Sequence, residues 1–231
     1  MNNMNPLAKQ EAGDQPRPMP HNAEEYAQKY SITHFVNSYY QIRDCLRYSP
    51  EHVLVVGVGV GLEPILLREK FGIKVSTLDI DPGFKTDYVG SIHTMPMFLD
   101  RQFDVCIASH VLEHLPFRYF EESLQEIARV AKHAVIFLPY GGRHLEWKFS
   151  YAQRVREYKV TLNIPPLKKI SGEALDLQNG EHYWECGYRK FGIKRITTIM
   201  ARHFVVDTFY HNPDWKYSIN FNLTSSRHVN K

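Results

Sequence analysis

VLVVGVGVG, Val53 to Gly61, decides how this chain folds. Four apolar residues in succession, three of them β-branched, suit a short strand buried on both faces. Gly57, Gly59 and Gly61 then alternate with valines, and Leu62, Ile65 and Leu66 take up helical spacing. The stretch is therefore a strand running through a glycine turn into a helix. Pro64 is tolerated in the first helical turn, whose amides have no partners to lose. Without Cβ atoms such a turn lets backbone come against a ligand, and the helix start offers free N–H groups to an anion. A dinucleotide fingerprint wants a third glycine where Leu62 stands, which disfavours a pyrophosphate-binding oxidoreductase.

Downstream the pattern repeats. Val75 to Leu78 is a second strand, ending in Leu78-Asp79-Ile80-Asp81-Pro82. A carboxylate at the tip of the neighbouring strand can accept both hydroxyls of a ribose, a role that fits Asp79, whereas Asp81 before proline fits a turn cap. Tyr88-Val89, Phe103 to Ala108 and Ala134 to Leu138 supply three more strands, with a helix marked by Phe117, Phe120, Leu124, Ile127 and Ala131 before the last of them. Strands alternating with helices predict a parallel sheet covered on both faces.

Upstream, Ile32, Phe35, Tyr39, Ile42 and Leu46 form the stripe of an amphipathic helix that ends at Ser49-Pro50. Residues 1–22 carry Pro6, Pro16, Pro18 and Pro20 without apolar periodicity and read as a flexible tail. Beyond Tyr140 lies a long stretch with Gly141-Gly142, Pro165-Pro166 and Asn179-Gly180, and a short helix is expected near Phe149 to Tyr158. So long a connection reads as a lid or capping insertion. Ile193, Ile196, Met200 and His203 restart a helix, followed by a strand over Phe204 to Tyr210 and a turn at His211-Asn212-Pro213-Asp214. Trp215, Tyr217, Ile219, Phe221 and Leu223 then alternate with Lys216, Ser218, Asn220 and Asn222, so the last two strands form an antiparallel pair.

The predicted fold is α/β, a Rossmann-like three-layer α/β/α sandwich whose seven-stranded mixed sheet has only its last strand antiparallel. After the tail of residues 1–22, residues 23–231 form a single domain. Within it 23–50 are a helical cover, 51–142 the ligand-binding core, 143–192 the insertion and 193–231 the completion of the sheet.

Composition narrows the function. The chain has 231 residues, long enough to bury a core without metal or disulfide staples. Its 28 Lys and Arg against 25 Asp and Glu, a net charge of +3, show no clustered basic stripe, which disfavours nucleic acid as the partner. Cys45, Cys106 and Cys186 are too far apart for a CxxC pair and suggest no disulfide framework. The first twenty residues have no apolar centre of a signal peptide, and no apolar run is long enough to span a membrane. A cytoplasmic protein is expected.

At this point the sequence resembles the class I S-adenosylmethionine-dependent methyltransferases, in particular their type 11-like, small-molecule branch. Beside the glycine turn and Asp79, three stretches match: Tyr88 to Met97, FDVCIASHVLEHLP from Phe103 to Pro116, and HAVIFLPYGG from His133 to Gly142. The resemblance implies S-adenosylmethionine as cofactor, with S-adenosylhomocysteine as product. Gly57, Gly59 and Gly61 would wrap its methionine part and Asp79 its ribose. Ile80 would lie against the adenine, Ser91 and Ile92 at the adenine edge, and Ser109 and His110 below the sulfonium. It further implies methyl transfer to an O, N or C atom of a small-molecule acceptor by in-line displacement. Val55 and Ser91 stand where the family usually has acidic residues, so a non-catalytic cofactor-binding partner is the alternative, ahead of an RNA methyltransferase or a nicotinamide oxidoreductase.

His110, His114 and His182 are the candidate general bases, and Tyr140 and Trp184 the candidate acceptor-binding rings. His110-Val-Leu-Glu113-His114 also matches the H-x-x-E-H spacing of some zinc proteases, but that needs a continuous helix. Here a strand runs straight into His110, and no metal is expected.

Overall fold

The computed structural model describes residues 31–141, 143–150, 157–164 and 182–229. The proline-rich start, Gly142, Pro165-Pro166 and Asn179-Gly180 lie outside them.

Seven strands form one sheet in the order β3-β2-β1-β4-β5-β9-β8. They are β1 (His52–Val56), β2 (Lys74–Asp79), β3 (Tyr88–Val89), β4 (Phe103–Ser109), β5 (Ala131–Pro139), β8 (Phe204–His211) and β9 (Ser218–Ser225). The β1–β2, β1–β4, β2–β3 and β4–β5 pairs are parallel, while β9 enters between β5 and β8 antiparallel to both. That is the mixed sheet expected, last strand reversed.

Alternation along β1 feeds two cores. Leu54 and Val56 join the core that includes Phe120, Leu124, Ile127, Ile196 and Met200, whereas Val53 and Val55 join Tyr40, Ile42, Cys45 and Leu67 on the other face. Helices α1 (Ile32–Leu46) and α2 (Leu62–Glu69) therefore cover one side, and α3 (Phe120–Val130) and α4 (Ile193–Met200) the other. A last short helix, α5 (Ser226–Val229), follows β9. Cys45, Cys106 and Cys186 are buried free thiols. No helix among the described residues is long and apolar enough to cross a membrane.

Three local expectations are corrected. Of the helix expected near Phe149 to Tyr158, the residues described, 149–150 and 157–158, lie instead in an antiparallel strand pair, β6 (Arg143–Ser150) with β7 (Glu157–Ile164), and the rest lie outside the described residues. Leu145, Trp147, Val160 and Leu162 recur at period two, which suits a strand and defeats a helical stripe. Second, the apolar stripe of α1 does not all point inward: Ile32 is 83% exposed and Phe35 and Tyr39 are also exposed, while Ser38, Gln41, Ile42, Asp44 and Cys45 are buried. This helix crosses the ends of the strands and shows part of its polar side to a cavity. Third, β9 is buried almost throughout, its polar residues included. Asn222 Nδ2 donates to Asp44 Oδ2 at 3.0 Å, Tyr210 Oη donates to the same oxygen at 2.6 Å, and Arg43 reaches Asp44 Oδ1 at 2.6 Å. A polar network thus fastens α1 to β8 and β9.

Candidate active site

The glycine turn takes its shape from three left-handed residues, Gly57 (φ 72°), Gly59 (φ 50°) and Gly61 (φ 76°). Gly57 has a second reason to be glycine, since a Cβ there would run into Val111 Cγ2. The turn sits at the C-terminal ends of β1 and β4, where successive connections leave the sheet in opposite directions and a crevice opens. That crevice is a cavity of about 290 Å³. Gly57, Gly59, Asp79, Ile80, Ser91, Ile92, Ser109, His110, His114 and His182 all line it.

Asp79 is the hinge of the near end. One carboxylate oxygen accepts from Val58 N and the other from Asp81 N, both at 3.0 Å, so the side chain is held firmly while each oxygen keeps a lone pair. Burial nonetheless pushes its carboxyl above the ordinary range, against those two amides. Asp81 Oδ1 accepts from Gly83 N at 2.8 Å and caps the following turn. Ser91 Oγ is hydrogen-bonded to His93 Nδ1 at 2.7 Å.

Helix α1 roofs the cavity with His34, Asn37, Ser38 and Gln41. Asn37 Nδ2 donates to Ser109 Oγ at 3.0 Å, leaving Asn37 Oδ1 buried without a partner. Beneath this roof Glu63, from the first turn of α2, receives the Ser38 hydroxyl at 2.6 Å. Burial raises the Glu63 carboxyl above its usual range, and the Ser38 hydrogen bond only partly offsets this. Sequence reasoning missed Glu63; a carboxylate two places after the last glycine of the turn was its signal.

The far end holds histidines. His110, leaving β4, has φ 53°, an uncommon backbone for a residue with a Cβ, and its amide donates to Phe137 O at 2.9 Å. A short 3₁₀ turn over Leu112–His114 follows. Glu113 is 0% exposed, and His110 Nδ1 lies 3.4 Å from its Oε1. At that length the two atoms approach without a formed hydrogen bond, and both Glu113 oxygens are buried without a hydrogen-bond partner. Burial would push this carboxyl up, but the imidazoles of His110, His114 and His182 outweigh it and hold the carboxyl below its ordinary range.

His182 arrives from the insertion. Tyr183 N donates to Glu113 O and Cys186 N to Pro139 O, each at 2.9 Å, which sews this segment to the end of β5 and to the 3₁₀ turn. His182 Nδ1 meets Glu185 Oε1 at 2.9 Å, and the Tyr217 hydroxyl donates to the same oxygen at 2.7 Å. Trp215 and Tyr217, before β9, complete the wall.

Three chosen residues lie off the cavity wall. Trp184 is 0% exposed, its indole N–H donates to Leu115 O at 3.1 Å, and its ring packs against Phe117 and Phe120. It is part of the core, not a wall of the pocket. Tyr140 packs edge-on to His211 at 4.5 Å, outside the lining. Gly61 serves as the N-cap of α2.

Residues 54–138 match the model of a family described as a methyltransferase domain. The matched stretch is the one that forms β1 to β5 and the near end of the cavity. Solved structures agree in fold. The N-methyltransferase NodS from Bradyrhizobium japonicum, in complex with S-adenosylhomocysteine, is similar at 10% identity over 88% of this chain and 96% of that one, with a TM-score of 0.55. An S-adenosylmethionine-dependent methyltransferase from Clostridium acetobutylicum aligns at 8% identity over 84% and 93%, TM-score 0.53. The glycopeptide N-methyltransferase MtfA, complexed with S-adenosylmethionine, aligns at 14% identity over 82% and 94%, TM-score 0.51. No curated protein sequence matches the chain. Two of these neighbours hold S-adenosylmethionine or S-adenosylhomocysteine. The cavity of this chain offers a cradle without Cβ atoms, a fixed carboxylate at the β2 tip and a buried acid under the roof.

Proposed function

We propose that the protein moves a methyl group from S-adenosylmethionine to an O, N or C atom of a small molecule held at the histidine end of the cavity. The observation that supports this most directly is the continuity of the cavity, which joins Gly57, Gly59 and Asp79 to His110, His114, His182, Trp215 and Tyr217. Bound there, the cofactor supplies an electrophilic methyl on a sulfonium, open to in-line attack.

Gly57 and Gly59 would admit the methionine part, with Gly61 shaping the turn behind them. Asp79 would accept from the ribose hydroxyls, and Ile80, Ser91 and Ile92 would bound the adenine. Glu63 would accept from the ammonium, restoring the acid that Val55 does not provide. Ser109 and His110 would lie below the sulfonium. Roofing by α1 would limit water around the bound cofactor, so the protein's share of the rate would be alignment and desolvation.

Of the three candidate bases we favour His110. Its Nδ1 faces the Glu113 carboxylate, which orients the ring, and its Nε2 is buried without a partner on the cavity wall. That nitrogen is placed to take a proton from an acceptor hydroxyl or amine.

Calorimetric titration with S-adenosylhomocysteine, followed by a methyl-transfer screen over hydroxylated and amino acceptors, tests the reading. One site per chain is expected. Asp79→Ala should cost about 10- to 100-fold in affinity, as the loss of hydrogen bonds to a charged group does. Tighter binding of NAD would overturn the cofactor assignment. Cofactor binding with no transfer to any acceptor class would leave the non-catalytic partner instead.

A further inference from the structure

The geometry points to a divalent transition-metal site made by Glu113, His114 and His182 on the wall of the cavity. One ligand atom from each residue lies within 4.8 Å of the others. Two imidazoles and a carboxylate are the donor set of zinc, iron(II), cobalt(II) and manganese sites. With bonds of about 2.0–2.2 Å at tetrahedral angles, ligand atoms stand about 3.4 Å apart, so these side chains need to draw together by roughly an ångström.

Two independent observations favour a cation there. Glu113 is fully buried, and neither of its oxygens has a hydrogen-bond partner. A buried carboxylate left in that state is costly unless a positive charge answers it. Second, His182 carries the support that metal-bound histidines have. Glu185 can only accept when ionised, so His182 Nδ1 bears the proton shared with Glu185 Oε1 at 2.9 Å, and Tyr217 Oη holds the same oxygen at 2.7 Å. Its Nε2 lies 4.0 Å from Glu113 Oε1.

The expectation of no metal rested on His110 and His114 having to share a helix face, as in a zinc protease. The chain makes a 3₁₀ turn there instead, and the second imidazole is His182, brought in from the insertion. His110 stays outside the ligand set. Because His114 and His182 line the cavity at its acceptor end, a bound cation would face the acceptor and favour one that offers oxygen or nitrogen as a ligand. The site is independent of methyl transfer, and its test does not need turnover.

Protein stripped with a chelator is titrated with Zn²⁺ by calorimetry and with Co²⁺ by visible absorption. One equivalent of Zn²⁺ per chain is expected, with micromolar affinity or better, together with the ligand-field bands of a low-coordinate Co²⁺ centre. His114→Ala and His182→Ala should each weaken binding at least about 100-fold and abolish the Co²⁺ bands. Glu185→Gln, which touches only the support of His182, should cost about 10- to 100-fold. His52→Ala, at the far end of β1, should change nothing. Affinity for S-adenosylhomocysteine in His114→Ala should stay within about threefold of wild type, which separates loss of the metal from loss of the fold. No saturable uptake at about 1 mM metal, or uptake undiminished in a His114→Ala/His182→Ala double variant, overturns the site.

Discussion

Gly57→Ala offers the sharpest test of how the glycine turn works. Two costs combine at this position. The backbone sits at φ 72°, where an alanine pays about 1–2 kcal/mol for its Cβ. The new methyl also meets Val111 Cγ2, so Val111 must leave its rotamer or the turn must shift, an overpacking worth about 1–3 kcal/mol. The single variant should therefore lose about 2–5 kcal/mol of stability. Val111→Ala removes the obstacle at the expense of a half-buried side chain, about 1 kcal/mol. If the clash is real, the double variant recovers most of it and retains only the dihedral cost and the lost methyls. The coupling between the two sites should then be about 1–3 kcal/mol, the clash that is relieved.

Urea unfolding of the four proteins measures this cycle, and S-adenosylhomocysteine calorimetry on the same set reports the cavity. In Gly57→Ala the displaced Val111 crowds a wall to which both residues belong, so cofactor affinity should fall and partly return in the double variant. Additivity of the two single changes within about 0.5 kcal/mol, the margin expected of independent sites, would refute the reasoning. The turn would then tolerate a side chain by moving as a whole.

Three further predictions follow from buried groups. Burial holds the Glu63 carboxyl above its ordinary range, so the ligand-free folded chain keeps a proton that the unfolded chain has released. The stability this confers is complete below the unfolded carboxyl value near pH 4.3 and falls as pH rises through the folded value. Glu63→Gln should flatten that slope in thermal melts and weaken S-adenosylhomocysteine binding about tenfold; parallel melting curves with pH would contradict it. Trp184→Phe should lower stability by about 1–3 kcal/mol, through a smaller core side chain and the orphaned Leu115 carbonyl. Acceptor KM should be unmoved, and a selective rise in KM would return Trp184 to the pocket. Asp44→Ala should cost about 3–5 kcal/mol, since it strips a buried charge from Tyr210, Asn222 and Arg43 together; a loss under 1 kcal/mol in urea unfolding would show that the network is ornamental.

The sheet was legible because β1, β2, β4 and β5 are short apolar runs with punctuation of their own, and a buried parallel strand needs little else. The near end of the cavity was legible for the same reason: Gly57, Gly59 and Asp79 sit at the tips of those strands, where topology alone places them. The strand pair Arg143–Ser150 with Glu157–Ile164 was missed because its period-two residues, Leu145, Trp147, Val160 and Leu162, lie in two separate short runs that only pairing brings together. Trp184 was misplaced for a different reason. A tryptophan beside a histidine and a glutamate looks like chemistry in one dimension, yet the chain bends between His182 and Glu185, so sequence neighbours there need not share a side. His182 and Glu185 turn toward Glu113 and Tyr217, while Trp184 turns into the core.

The far end of the cavity was legible only as separate residues, His110, His114 and His182, and not as a site. Its groups come from three separate stretches, His110 to His114, His182 to Glu185 and Trp215 to Tyr217, and none of the three is a site alone. What joins them is backbone: Tyr183 N to Glu113 O, Cys186 N to Pro139 O and Tyr140 N to Tyr217 O. Each bond pins an insertion or a terminal strand to the end of β4 or β5. The same logic applies under the roof, where Val55 is apolar because its side chain enters the core beneath α1, and the acid comes from Glu63 on the next element. A missing acidic residue in the first strand is therefore not a missing acid in the cavity. The non-catalytic alternative drawn from Val55 and Ser91 would lose the first of its two supports if Glu63 takes the cofactor's ammonium, as proposed.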